Sequence, residues 1–168
     1  MRPVEKWIWL PEKQYPHAQT TRYSWHVRTR TEENYTVAQF SREYRFHKAV
    51  SRVLLRFSGD TAFSLFCNGA YIANGPVLPG GDFLSLYSDD PMPQHYATEM
   101  CVTAEEDPAL GGGNLAFRAQ VRMSPCRCFD FSRGHGGFFL TARVEFADGT
   151  KTTVYTDRSW SAQHLAAY

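Results

Sequence analysis

Leu115-Ala116-Phe117-Arg118-Ala119-Gln120-Val121-Arg122-Met123 is the stretch on which the fold turns. Its odd positions are apolar throughout, while Arg118, Gln120 and Arg122 share the alternate positions with Ala116. A period of two places successive side chains on opposite faces of an extended chain, whereas an amphipathic helix needs apolar residues at i, i+3, i+4 and i+7. The segment reads as a half-buried strand. Phe138, Leu140, Ala142, Val144 and Phe146 repeat the pattern against Phe139, Thr141, Arg143 and Glu145. Val53-Leu54-Leu55-Arg56-Phe57 and, past the break at Gly59-Asp60, Phe63, Leu65 and Cys67 read as two adjacent strands. Gln39 to His47 and Ser24 to Arg30 supply further strands, and no stretch sustains a helical apolar period for three turns.

Turn chemistry separates these segments. Asn68-Gly69 stands between Phe63–Cys67 and Ala70–Ala73, and both central residues of a type I′ hairpin turn need positive φ, which Asn and Gly tolerate. Asp148-Gly149 likewise turns the chain into Lys151 to Thr156. About six to eight strands at this spacing predict an all-β, antiparallel β-sandwich of jelly-roll type. Leu115, Phe117, Val121, Phe138, Leu140, Val144 and Phe146 are then expected to be buried on facing sheets.

The whole chain, 1–168, fits one domain, since 168 residues suffice to bury roughly 68–70% of the surface of the unfolded form. Eighteen Lys and Arg against seventeen Asp and Glu leave a net charge of +1, too little to draw the protein to nucleic acid or an acidic membrane surface. No apolar run approaches the roughly 20 residues of a bilayer span. Met1-Arg2-Pro3-Val4-Glu5-Lys6 carries both signs of charge and the apolar stretch behind it stops at Pro11, so no secretion signal is expected and the location is read as cytoplasmic. Cys67, Cys101, Cys126 and Cys128 show no C-x-x-C spacing, which favours reduced thiols. Two longer connections stand out, Gly75 to Gln94 with its prolines and Asp107 to Gly113 with its triple glycine, the latter read as a flexible lead into the following strand.

Several of these features together resemble a known module. Trp7-Ile8-Trp9, the strand Gln39 to Phe46, and Phe63-Ser64-Leu65-Phe66-Cys67-Asn68-Gly69-Ala70-Tyr71-Ile72-Ala73-Asn74-Gly75-Pro76 resemble the N-terminal β-sandwich of bacterial alpha-L-rhamnosidases, a galactose-binding-like fold. Tyr96, the Gly-rich turn into Asn114, Gly136-Gly137, Asp148-Gly149 and Thr156-Asp157-Arg158-Ser159-Trp160 follow in the same order. Sugar-binding modules of beta-galactosidase-like enzymes share the Asn-Gly and glycine-before-Asn features, and Val77 to Asp90 departs from the rhamnosidase pattern. The resemblance implies a non-catalytic, carbohydrate-binding or structural N-terminal module of a longer glycoside hydrolase. Its partners would be a carbohydrate, such as a rhamnose-containing glycan, and the downstream catalytic domain of the same polypeptide. In that family an inverting pair of carboxylates in a separate helical barrel cleaves the sugar, so the isolated chain is expected not to be an enzyme. The alternatives are a sugar-binding module of a beta-galactosidase-like hydrolase and a purely structural domain docked on a catalytic barrel.

Candidate chemistry was weighed residue by residue. A glycosidase needs two carboxyl groups facing each other across a cleft. Glu105-Glu106-Asp107 and Asp89-Asp90 are merely adjacent in turn-rich sequence, where acids are ordinarily solvated. Asp82, Asp89 and Asp90 could contribute oxygens to calcium, although their spacing matches no defined calcium loop; no other cofactor is expected. Cys126, Cys128, Asp130 and His135 invite a metal reading, but the two thiols and the His would need a fourth partner from elsewhere, so buried or idle thiols are expected, and the six histidines form no pair at i, i+4. Trp7, Trp9, Tyr23 and Trp25 could stack on sugar rings or pack the core. If sugar binds, the expected contacts are Asp82, Asp89 and Asp90 accepting from vicinal hydroxyls, Arg133 and His135 opposite them, and Tyr87 or Tyr96 against the apolar face of the ring.

Overall fold

In the computed structural model of the chain, residues 6–10, 36–60, 62–76, 97–123 and 137–165 are described. Nine strands run through them: β1 (Thr36–Arg45), β2 (Val50–Asp60), β3 (Ala62–Cys67), β4 (Ala70–Pro76), β5 (Thr98–Thr103), β6 (Asn114–Met123), β7 (Gly137–Phe146), β8 (Lys151–Tyr155) and β9 (Ser161–Leu165). They pair antiparallel into a five-stranded sheet, β4-β3-β6-β1-β9, and a four-stranded sheet, β5-β2-β7-β8. This is an all-β sandwich, as the alternation in β6 and β7 predicts.

The chain stays within one sheet at two of its connections among these strands, β3 to β4 and β7 to β8, and these are the Asn-Gly and Asp-Gly turns. Asn68 (φ 48°) and Gly69 (φ 86°) both adopt the positive φ that a type I′ turn requires. Every other pair of consecutive strands lies in opposite sheets. β2 and β3, consecutive in sequence, are therefore not sheet neighbours but face one another, with Phe57 and Phe63 edge to face at 5.7 Å. Gly59 lies where they part, and a Cβ there would come within 3.0 Å of the Phe63 Cβ.

The core fills the space between the sheets with the residues that the alternation selects. Leu115, Phe117, Val121, Phe138, Leu140, Val144 and Phe146 are all buried, the first three on β6 and the others on the facing β7. Phe40 stacks on Phe138 at 5.8 Å, and Trp160 stacks on Phe117 at 6.2 Å, so aromatic rings bridge the layers. Trp9 leans on Phe40 at 5.8 Å and packs against the core, whereas Trp7 meets Phe139 edge-on at 4.8 Å and keeps 40% of its surface exposed. Tyr23, Trp25 and the strand expected at Ser24 to Arg30 lie outside the described residues.

Two strands escaped the sequence reading. β9 is exposed at four of its five positions and has no apolar alternation to mark it. β5 is an edge strand in which Val102 alone is fully buried. The triple-glycine segment is also not a loose lead-in: Pro108–Gly112 forms a 3-10 helix with Asp107 as its N-cap, accepting from the Ala109 N–H at 3.1 Å, and the Gly113 N–H donates to the Leu110 carbonyl at 2.8 Å. An Asp side chain that satisfies the first free N–H, followed by Pro, converts a glycine-rich stretch into a defined turn.

Candidate functional site

The residues expected at a loop site, Asp82, Tyr87, Asp89, Asp90, Tyr96, Arg133 and His135, all lie outside the described residues, as do Cys126, Cys128 and Asp130. What is described are the points from which their segments spring. Pro76 pairs with Ala62, Thr98 with Phe57, Arg122 with Ala62 and Gly137 with Asp60, so segments 77–96 and 124–136 are both anchored at the end of the sandwich where β2 passes into β3. Among the described residues no group of three His, Cys, Asp or Glu is placed to hold a metal ion.

The described acids have structural duties. Glu106 accepts from the Thr103 N–H at 2.8 Å and closes a turn. Asp107 caps the 3-10 helix and also accepts from Asn68 Nδ2 at 2.6 Å. Asn68 in turn accepts from the Ala116 N–H at 2.8 Å, fastening the hairpin tip to β6. Glu145, with a side chain only 9% exposed, receives Arg52 at 2.5 Å, Lys151 at 2.9 Å and Arg143 at 3.1 Å. The register places Arg52 and Lys151 directly across from it on either side, and the Arg52 hydrogen bond, followed by that of Lys151, holds its carboxyl at about 2. The Cys67 thiol is driven up to about 12, first by burial and then by Asp107, which leaves it an inert core group; Cys101 is exposed.

A different surface gathers groups suited to a ligand. On the five-stranded sheet the positions alternate to those in the core point outward, and the strand register lines them up in rows. One row runs Asn74, Ser64, Gln120, Gln39, Gln163 across β4, β3, β6, β1 and β9. Every member is an uncharged group able to donate and accept hydrogen bonds. At a strand spacing of about 4.8 Å this row spans about 19 Å. The next row is Tyr71, Phe66, Arg118, Ser41 and Ser161. Here Tyr71 is 56% exposed and meets Phe66 at 5.9 Å, while the Arg118 guanidinium lies 4.2 Å from the centre of the Phe66 ring.

Towards the hairpin end this face sinks into an open depression of about 480 Å³ lined by Ser41, Arg42, Glu43, Gly69, Ala116, Arg118, Ser159 and Ser161, with Phe117 below. Its floor is low because small residues, Ser41, Ala116 and Ser161, occupy the centre. Its wall is held in place. Arg42 Nη1 donates to the Ser159 carbonyl at 2.8 Å, and Asp157 accepts from both the N–H and the hydroxyl of Ser159. Those hydrogen bonds keep the Asp157 carboxyl below its ordinary range. Volume, polar rim and one aromatic shoulder fit a shallow site for a polar small molecule. Periodicity puts Arg118, Gln120 and Arg122 on the solvent side of β6, but nothing local aligns them with Gln39 and Gln163, because cross-strand register is a long-range property.

The comparisons agree with this architecture. No protein-family model matches the sequence, and no curated protein does. Among solved structures, the chain superposes on a rhamnosidase of Bacillus sp. GL1 with a TM-score of 0.58 and 20% identity, over 95% of this chain and 13% of that one. An alpha-L-rhamnosidase of Streptomyces avermitilis complexed with L-rhamnose gives a TM-score of 0.54 at 14% identity, over 96% of this chain and 12% of that one. A lectin of Pleurotus ostreatus in complex with GalNAc gives 0.54 at 17% identity, over 76% of this chain and 29% of that one. The chain thus spans a small part of each rhamnosidase and less than a third of the lectin. At these identities the likeness is one of fold: this chain shares its antiparallel β-sandwich with part of each of these larger proteins.

Proposed function

We propose that the protein is a non-catalytic carbohydrate-binding module that works beside the catalytic domain of an alpha-L-rhamnosidase-like glycoside hydrolase. The observation that carries this reading is the row of amides and hydroxyls from Asn74 to Gln163 beside the Phe66–Tyr71 shoulder. A pyranose offers vicinal hydroxyls, each both donor and acceptor, and an apolar face of C–H groups. Side-chain amides meet the first requirement and an exposed tyrosine the second. Two of the fold neighbours carry a sugar in their structures, L-rhamnose in one and GalNAc in the other, which supports the same ligand class here.

The segments bearing Asp82, Tyr87, Asp89, Asp90, Tyr96, Arg133 and His135 are a second candidate for the same function, favoured by the shared end of the sandwich at which the strands bounding them terminate. Calcium bound by Asp82, Asp89 and Asp90 belongs to that second candidate. A shallow site on one module reaches about millimolar to micromolar affinity, roughly 4–8 kcal/mol. The test is a chemical-shift titration of the isolated chain with L-rhamnose, galactose and N-acetylgalactosamine at high concentration, with and without calcium. Shifts confined to the outer face of the five-stranded sheet, or to segments 77–96 and 124–136, uphold the reading. No shift with any of these sugars would overturn it in favour of a structural module that only braces its catalytic neighbour.

A further inference from the structure

Taking the outer face of the five-stranded sheet as the carbohydrate surface, we propose that it selects an acidic glycan, a uronate-bearing oligosaccharide laid along β6. β6 is the middle strand of the sheet, and its outward residues are Arg122, Gln120, Arg118, Ala116 and Asn114. Among the described residues the outward-facing charges on this face are Arg45, Arg118 and Arg122 against one acid, Glu43. The face is cationic although the chain as a whole is almost neutral.

Among the described residues no carboxylate makes an ion pair with Arg118 or Arg122, whereas on the opposite sheet Arg52, Arg143 and Lys151 all converge on Glu145. Arg118 is held against Phe66, its directly paired cross-strand neighbour, with the central guanidinium carbon 4.2 Å from the ring centre. A cation–π contact of this kind restrains the group without using up its N–H donors. A planar carboxylate matches that edge with two parallel hydrogen bonds, which a hydroxyl cannot do. Arg118 and Arg122 stand four residues apart on one strand, about 13 Å, with the Gln120 amide between them. That spacing suits two separate charges on one oligomer better than one small anion. Ser64 and Phe66 flank the track on one side and Gln39 and Ser41 on the other, so neutral parts of the same chain find hydrogen-bonding and apolar contacts. Glu43, opposite Ala116, repels the anion from the hairpin end and confines it to the Arg118–Arg122 half.

The test compares trigalacturonate with its fully methyl-esterified form, which has the same ring and linkage without the charge. The acid form is expected to shift the amides of Ser64, Phe66, Arg118, Gln120 and Arg122, to bind about tenfold more tightly than the ester, and to weaken as salt is raised. Arg118→Gln, and separately Arg122→Gln, should each remove most of the preference for the acid, read as a larger loss of affinity for the acid than for the ester, and Arg118→Lys should restore it in part. Equal affinity for acid and ester on this face refutes the acidic assignment but leaves carbohydrate binding standing. Failure of both probes to bind likewise refutes the acidic assignment, while the titration with neutral sugars decides carbohydrate binding separately. Tighter binding of a sulfated oligosaccharide than of trigalacturonate overturns the choice of carboxylate.

Discussion

Gly113→Ala is expected to cost the fold more than Gly149→Ala, although both replace a glycine of left-handed backbone. Gly113 has φ 74° and Gly149 φ 82°. Forcing a residue with a Cβ into that region costs about 1–2 kcal/mol in either place. What differs is the surroundings. A Cβ on Gly149 would meet nothing within 4 Å, whereas one on Gly113 would lie 2.4 Å from the Phe46 carbonyl oxygen and 2.9 Å from that of Lys48. Both are backbone atoms of the β1–β2 connection, and the Phe46 N–H donates to the Gly113 carbonyl at 2.9 Å, so this segment cannot withdraw without loosening the bond. Overpacking of this kind adds about 1–3 kcal/mol, giving about 2–5 kcal/mol for Gly113→Ala. For a chain of this length 1 kcal/mol corresponds to about 2–4 °C, so Gly149→Ala should melt about 2–8 °C below the parent and Gly113→Ala about 4–20 °C below it. Circular dichroism melts at one pH and protein concentration, with urea midpoints as a second measure, read the difference directly. If the two variants melt together, the close approach of Gly113 to the Phe46 carbonyl is relieved at no cost and the reasoning fails.

Two further outcomes follow from the core and from the charged face of the four-stranded sheet. Leu140 is fully buried, so Leu140→Ala should lose about 2–5 kcal/mol in urea unfolding; an unchanged midpoint would mean that this strand faces the other way. Glu145 is held at about 2 by Arg52 and Lys151, below its unfolded value of about 4.3. A carboxyl depressed on folding contributes stability that is complete above the unfolded value and lost as pH falls through the folded one. The parent should therefore lose stability between about pH 5 and pH 2 more steeply than Glu145→Gln, and parallel acid-unfolding curves would contradict the pairing.

The candidate site was only half legible. Arg118, Gln120 and Arg122 declare themselves solvent-facing within β6 by alternation alone. Phe66 reads as the outward partner of Leu65 and Cys67 in the same way. Nothing in the sequence says that Gln163 belongs beside Gln39, because β9 is an exposed edge strand with no pattern of its own. Trp9 is the converse case: as an isolated aromatic it could stack on sugar, and only its contact with Phe40 shows that it packs against the core, whereas Trp7 meets Phe139 with 40% of its own surface exposed.

What the sequence by itself determined is everything that depends on neighbours in the chain. Strand identity in β6 and β7 follows from a two-residue period, and the two hairpins follow from Asn-Gly and Asp-Gly, since positive φ is a local requirement met by particular residue types. Tertiary structure decided which strands share a sheet, sending β2 and β3 to opposite layers and bringing β6 between β3 and β1. It also turned Asp107 to Gly113 into a capped 3-10 helix, because Gly113 is required there by carbonyls some 65 residues earlier in the chain, at Phe46 and Lys48. The physical reason is common to both. Hydrogen-bond partners and packing neighbours across a sandwich are chosen by burial of one shared core, and local sequence carries no record of which distant segment will supply the other half of a contact.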